Sequence, residues 1–251
     1  MAKPPRLTLA HLYPKLMNIY GDRGNILCLE RRCRERSIGF RADAISIGDK
    51  LRAGEYDMVF LGGAQDSEQR RVAEDLRSNK AGPLREAAEH GAVILAVCGG
   101  YQLMGRFYRP ASGEELPGAG LLDLWTVHPG PRAKRFIGNV VARWKGRTLV
   151  GFENHGGRTF LGQGAQPLAE VITGYGNNGE DGTEGAVCGA IYGTYLHGSL
   201  LPKNPAFADH LIETALRRKH KDITLDALDD RIEKAAHAAA VRLATRRGII
   251  G

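Results

Sequence analysis

At 251 residues, with 43% hydrophobic and 25% charged side chains, the chain has the balance of a soluble globular protein large enough to bury a full core. No run approaches the roughly 18 apolar residues of a membrane span, and Met1–Arg6 has no apolar stretch behind it of the kind a secretory signal carries. The formal charge of +7 is interspersed with acids and shows no aromatic-basic stripe, so it reads as a solvated surface and excludes a nucleic-acid partner as the first expectation.

Leu7–Leu12 reads as a short strand. The Gly-containing loop Asn18–Asn25 follows, where Asp22 or Asn25 can cap a helix running to about Ser37, with Gly39 placed to end it. Phe40–Ile47 is a second strand and Tyr56–Leu61 a third, ending in Gly62-Gly-Ala-Gln-Asp66. A Gly pair at the carboxyl end of a strand lets backbone come close to a ligand. Helices are expected over Ser67–Ser78 and Pro83–His90, before a fourth strand at Ile94–Val97. This alternation predicts a doubly wound, mostly parallel α/β sheet flanked by helices.

Directly after Val97 come Cys98, Gly99 and Gly100, then a helix start containing Gln102. A nucleophile on a sharp strand-to-helix turn stands exposed at the sheet end beside free backbone N–H groups, which can stabilise both a thiolate and an oxyanion. The other cysteines, Cys28, Cys33 and Cys188, show no paired metal-type spacing, so no metal site is expected and a reduced cytoplasm fits best.

From Gly120 to about Ile172 the pattern changes to short extended runs, Leu121–Val127, Phe136–Trp144, Thr148–Phe152 and Leu168–Ile172, which predict an appended antiparallel β segment. The stretches Asn154–Arg158 and Gly174–Gly182 are too rich in Gly and Asn to be read as core. Ala190–Leu196 is a further strand, ending in His197-Gly198. Asn204 caps a helix to about His220, with a basic end at Arg217–Lys221, and Leu225–Arg247 is a last amphipathic helix. Residues 1–221 are expected to form one domain and 222–251 a C-terminal helical extension.

A Cys nucleophile needs a base, and histidine serves near neutral pH. His90, His210, His220 and His237 fall on helix faces or ends, and His11 and His128 lack supporting context. His197, which ends an apolar strand and precedes a Gly, is preferred over His155, which lies between Asn154 and two glycines.

Val97-Cys98-Gly-Gly-Tyr-Gln102 with the distant Tyr195-Leu-His197-Gly resembles the class I glutamine amidotransferases of the cobyric acid synthase type. Gly62–Gln69, Gly151–Thr159, Gly174–Asp181 and Gly193–Gly198 with Pro202-Lys-Asn204 look more closely like the glutaminase subunits of lipid II isoglutaminyl synthases, over about Leu7 to Lys221. The resemblance implies a class I amidotransferase (flavodoxin-like) fold and glutamine hydrolysis through a Cys98 thioester. His197 would protonate the leaving ammonia, and backbone near Gly99 and Gly63 would hold the oxyanion. Gln102 matches the family's elbow Gln near substrate. Arg135 matches a position that grips glutamine, and a guanidinium suits its α-carboxylate.

The same resemblance implies a Mur-ligase-like partner in a heterodimer, binding ATP and amidating the D-glutamate α-carboxylate of lipid II. This chain has no Walker A loop, so ATP is expected on the partner alone. At most a peripheral approach to the membrane is expected, favoured by the positive charge around Arg217–Lys221. Ser199 stands where many such enzymes carry a Glu that orients the His, so an acid from the partner is expected, with Asp123 or Glu153 as alternatives within the chain. Two rival readings are the glutaminase part of a cobyrinate-type amidase, which 251 residues leave without a fused synthetase, and a non-catalytic scaffold of the same fold.

Overall fold

The computed structural model describes residues 4–247; the reading of the N-terminal segment over Met1–Lys3 lies outside them. In chain order the first elements are β1 (Arg6–Leu12), α1 (Arg23–Arg34), β2 (Gly39–Ile45), β3 (Met58–Leu61), α2 (Asp66–Asp75), α3 (Ala81–Glu89), β4 (Val93–Val97) and α4 (Gly99–Met104). Short strands follow: β5 (Phe107–Arg109), β6 (Leu116–Pro117), β7 (Leu124–Val127), β8 (Phe136–Trp144), β9 (Arg147–His155), β10 (Arg158–Leu161), β11 (Ala169–Thr173), β12 (Thr183–Glu184), β13 (Ala186–Cys188) and β14 (Ile191–Thr194). The chain closes with α5 (Leu200–Lys203), α6 (Pro205–Arg217) and α7 (Arg231–Arg247).

The main sheet has the order β13-β14-β4-β3-β1-β2 and is parallel except for β13. Every residue of β3 and β4 is buried, the signature of parallel strands covered on both faces. This agrees with the predicted α/β class. The carboxyl ends of β1, β3, β4 and β14 lie side by side, so the loops after Leu12, Leu61, Val97 and Thr194 meet over one edge of the sheet. The middle of the chain forms two four-stranded sheets, β10-β7-β5-β6 and β12-β11-β8-β9, antiparallel apart from the β5–β7 pair.

Several boundaries differ from expectation for physical reasons. Helix α1 ends earlier because Ser37, not Gly39, takes the left-handed turn (φ 56°), and Gly39 already belongs to β2. The last helix starts at Arg231 because the preceding chain is pinned against α1 without regular structure: Arg36 Nε donates to the Asp226 carbonyl (2.7 Å), and Arg32, itself held by Asp209 of α6 (2.7 Å), pairs with Asp230 (2.6 Å). Gly174–Gly182 is no surface loop throughout, since Asn177 and Asn178 are buried and hydrogen-bonded. The basic end of α6 is engaged as well: Arg217 pairs with Glu213, and Arg218 and Lys219 both reach the buried Asp57. Among the described residues no helix is long and apolar enough to cross a membrane.

Between α2 and α3 the chain passes through one π turn, Leu76–Lys80, closed by a buried polar post. Lys80 Nζ donates to Asp75 Oδ2 at 2.7 Å, and Tyr13 Oη donates to the same oxygen at 2.8 Å. Burial alone would raise the Asp75 carboxyl, but hydrogen bonds from Lys80, Asn79 and Tyr13 hold it down at about 2. Removing the ammonium leaves a buried carboxylate without its counter-charge. Lys80→Met is therefore expected to lower the unfolding free energy by about 3 kcal/mol, read from urea denaturation; an unchanged midpoint would contradict this account of the post.

Candidate active site

Cys98 occupies the sharp turn between β4 and α4 with φ 51° and ψ −107°, a conformation that costs a non-Gly residue about 1–3 kcal/mol. Its surroundings over-determine it. The Cys98 N–H donates to the Thr194 carbonyl (2.8 Å), the Gln102 N–H returns to the Cys98 carbonyl (2.9 Å), and the Gly100 N–H donates to Gly62 (3.2 Å). A Cβ on Gly100 would lie 2.6 Å from the Leu61 carbonyl, so the elbow packs against the end of β3 only because that residue has no side chain.

His197 follows β14 and is fully buried beside this turn. Its Nδ1 faces Asp22 Oδ1 at 3.6 Å, an ion-pair separation longer than a hydrogen bond. The other Asp22 oxygen accepts the Gly63 N–H at 2.6 Å. Burial alone would lower the His197 pKa, but the neighbouring Cys98 charge and then Asp22 outweigh it and hold the ring up at about 10. The Tyr20 ring meets the imidazole edge-on with centroids 5.0 Å apart. Ser199 Oγ donates to the Gly21 carbonyl (2.7 Å), tying the loop that carries Asp22 to the loop that carries His197.

Asp22 was expected to cap α1, yet its side chain makes no capping bond there; Asn18 Oδ1 takes the Arg23 N–H instead (2.8 Å). An acid of this chain, Asp22, thus stands beside the imidazole. The two in-chain alternatives lie elsewhere. Glu153 accepts the Tyr175 and Gly176 N–H groups and faces His155, while Asp123 accepts the Gly164 N–H and pairs with Arg106. Of the backbone near Gly63 expected at the oxyanion, the Gly63 N–H itself is engaged by Asp22, which leaves that of Ala64. The N–H groups of Gly99 and Ala64 have no partner among the described residues, and a Cβ on Gly99 would stand 2.9 Å from the Ala64 nitrogen. These two donors lie together beside Cys98.

A cavity of about 470 Å³ opens onto Cys98, with Arg135, Gln102, Asn154 and His155 in its wall. Arg135 is held by Asn154, donating through Nε to Oδ1 and through Nη2 to the backbone carbonyl, both at 3.1 Å. Asn154 in turn donates to Tyr20 Oη at 2.6 Å, which links the guanidinium to the loop over His197. Gln102 is buried, accepting from Gln69 (2.8 Å) and donating to Tyr195 Oη (3.1 Å). His155 stacks flat on Tyr195 (3.6 Å between centroids), with Nδ1 at 2.9 Å from the Gly157 carbonyl and Nε2 facing Glu153 at 3.7 Å. Burial lowers its pKa. His155 therefore braces the wall, and of the two candidate bases it is His197 that stands with Cys98.

Behind the elbow lies a polar core. Tyr101 Oη donates to Asn177 (3.0 Å), and Glu184 Oε1 accepts from the Tyr195 N–H (2.7 Å) and Thr194 Oγ1 (2.9 Å). Burial lifts the Glu184 carboxyl to about 7, against the pull of those hydrogen bonds. Among the described residues no group of three His, Cys, Asp or Glu side chains is arranged to hold a metal ion. The arrangement as a whole can perform acyl transfer: a nucleophile on a strained turn, an imidazole backed by a carboxylate, and two neighbouring N–H donors unpaired among the described residues.

Known proteins resemble the chain in fold and in sequence. The solved structure of PurLQS from Thermotoga maritima matches with a TM-score of 0.61 at 19% identity, covering 86% of this chain and 99% of that one, a likeness of fold. Subunit GatD of the glutamine-hydrolysing lipid II isoglutaminyl synthase of Streptococcus pneumoniae is 40% identical over 230 residues, 90% of this chain and 87% of its own length. The GatD subunit of Staphylococcus aureus is 38% identical over 242 residues, 96% of this chain and 97% of its own length. A model of the CobB/CobQ-like glutamine amidotransferase domain matches residues 8–205, and with that domain over most of its length the chain belongs to the CobB/CobQ-like glutamine amidotransferase family.

Proposed function

We propose that the chain hydrolyses L-glutamine and supplies the ammonia for amidation of the D-glutamate α-carboxylate of lipid II, as the subunit of a cytoplasmic heterodimer. The observation that carries the chemistry is the meeting of Cys98, His197 and Asp22 at one sheet edge, over a cavity that also receives Arg135. Cys98 Sγ attacks the side-chain amide carbon, and the oxyanion is received by the N–H groups of Gly99 and Ala64. The His197 imidazolium gives its proton to the departing ammonia, leaving a γ-glutamyl thioester. Water then adds to the thioester with His197 as base, which restores the imidazolium; the intermediate collapses by expelling Cys98 as thiolate, and the new γ-carboxyl of glutamate gives its proton to solvent or to the released ammonia. Asp22 holds the imidazole by Nδ1 throughout, and Arg135 grips the α-carboxylate of the substrate.

The lipid II assignment rests on the two GatD relatives, which align along nearly their whole length. The partner is an ATP-dependent, Mur-ligase-like subunit, with ATP bound there alone. Ammonia release from L-glutamine by the purified chain, with and without that partner, tests the reading. Release that requires Cys98 and rises with the partner supports it; Cys98→Ala should abolish it. Absence of release under both conditions would return the chain to a scaffold role.

Asp22→Asn keeps an acceptor for the Gly63 N–H but removes the charge beside His197. Its kcat should fall by about 10²–10⁴-fold with the circular dichroism spectrum unchanged, and an undiminished kcat would remove Asp22 from the machinery. The His197 ring provides a second check. In the native chain its ring nitrogens should remain protonated until the pH rises through about 10, as followed by NMR. The Cys98 charge is the largest of the influences that raise it, so in Cys98→Ala the titration should move down toward neutral pH. A titration that does not move would contradict the ion pair.

A further inference from the structure

The proposed reaction accounts for the amide and the α-carboxylate of glutamine but leaves its α-ammonium without a partner. A free amino acid enters as a zwitterion, so a site that grips only the carboxylate leaves a desolvated cation beside the guanidinium that holds it. Among the described residues lining the cavity there is one guanidinium, Arg135, and one carboxylate, Asp66. The cavity floor is Cys98, nearly buried, whereas Asp66 and Arg135 are exposed toward the mouth. The amide must reach the floor, which leaves the charged end of the substrate at the level of these two side chains.

Resting on the glutaminase reading, we propose that Asp66 is the acceptor for the α-ammonium of glutamine and, with Arg135, selects a free amino acid as the substrate. Asp66 leads helix α2 directly after the Gly62–Gln65 turn, the turn that also presents the Ala64 N–H beside Cys98. Tyr108 Oη donates to its Oδ1 at 2.9 Å, which fixes the carboxylate, and Oδ2 has no partner among the described residues. Tyr108 is itself buried and lines the same cavity. Two further observations place the charges on a shared wall. The Tyr108 phenol is raised by burial first, then by Asp66, with Cys98 adding to the effect, so Asp66 and Cys98 both lie within reach of one side chain. His128, which a Cβ on the cavity residue Gly156 would meet, is lowered by burial first, with Asp66 acting against this and Arg135 adding to it.

The test compares L-glutamine with 5-amino-5-oxopentanoate, which is glutamine without its α-amino group, by calorimetric binding to the Cys98→Ala chain. In that background the amino-free ligand should bind about tenfold or more weakly than L-glutamine. Adding Asp66→Asn, which keeps an acceptor for Tyr108, should weaken L-glutamine by about tenfold or more and leave the amino-free ligand within about twofold. Tyr108→Phe, which keeps the carboxylate, should leave the preference for L-glutamine in place. Equal weakening of both ligands by Asp66→Asn, or no weakening of either, overturns the assignment while leaving the glutaminase reading intact. Loss of the preference in Tyr108→Phe with Asp66 present overturns it too, because wall shape would then account for selection. Failure of L-glutamine to bind at all, with no Cys98-dependent ammonia release from the native chain, sinks the glutaminase reading and this assignment with it.

Discussion

The Asp22 carboxylate lies between the Gly63 N–H and the His197 ring, and the geometry of the whole site hangs on that shared contact. One oxygen ties the β1–α1 loop to the turn after β3, and the other faces His197, three residues beyond β14. Both carboxylate and imidazole are fully buried, where water cannot compete for either. Ser199 closes the same loop from its far side through Gly21. The Ser199 hydroxyl thereby clamps the loop that bears the acid. The carboxylate reaches the imidazole Nδ1 from the loop after β1, across the ends of β3 and β4.

Charge and strain at the elbow are both sustained by directional bonds. Cys98 is held in its left-handed turn by Thr194, Gln102 and Gly62, and the next layer is the polar set of Tyr101, Asn177, Tyr195, Gln102 and Gln69. The centre of the main sheet is apolar, with β3 and β4 buried throughout. The fold therefore has two kinds of interior. One is hydrocarbon and supplies most of the driving force for collapse, and the other is hydrogen-bonded and sets where the reacting groups stand.

The regular part of this design was legible in the sequence. Ile94–Val97 could only be a strand buried on both faces, and Cys98 before two glycines could only usefully stand on a turn. What escaped was everything that depends on a distant partner. Asp22 carries the local mark of a helix cap, and nothing in its neighbours says that its carboxylate turns to Gly63, 41 residues away. Asn177 and Asn178 sit among glycines and read as solvated loop, because burial of an amide is decided by donors and acceptors on other elements. The glycine pair marks a close backbone approach, but that the Gly63 N–H is engaged by Asp22 while its missing side chain leaves room for His197 depends on residues far along the chain. The stretch before α7 was read as helix because Arg32 and Arg36, which hold it open, lie nearly 200 residues upstream.

That need for room sets apart two regions of the site. A Cβ on Gly63 would come within 2.8 Å of His197 Cε1, and one on Gly62 or Gly100 would collide with backbone carbonyls. The inner shell around the reacting atoms is thus closed to side chains of any kind. The outer wall, where Asp66, Ser67 and Ile137 face open solvent, has no such restriction. A fold divided in this way can change what it admits without altering what it does to it: new substrate preferences can be written on the rim, one side chain at a time, over a chemical floor that tolerates no rewriting.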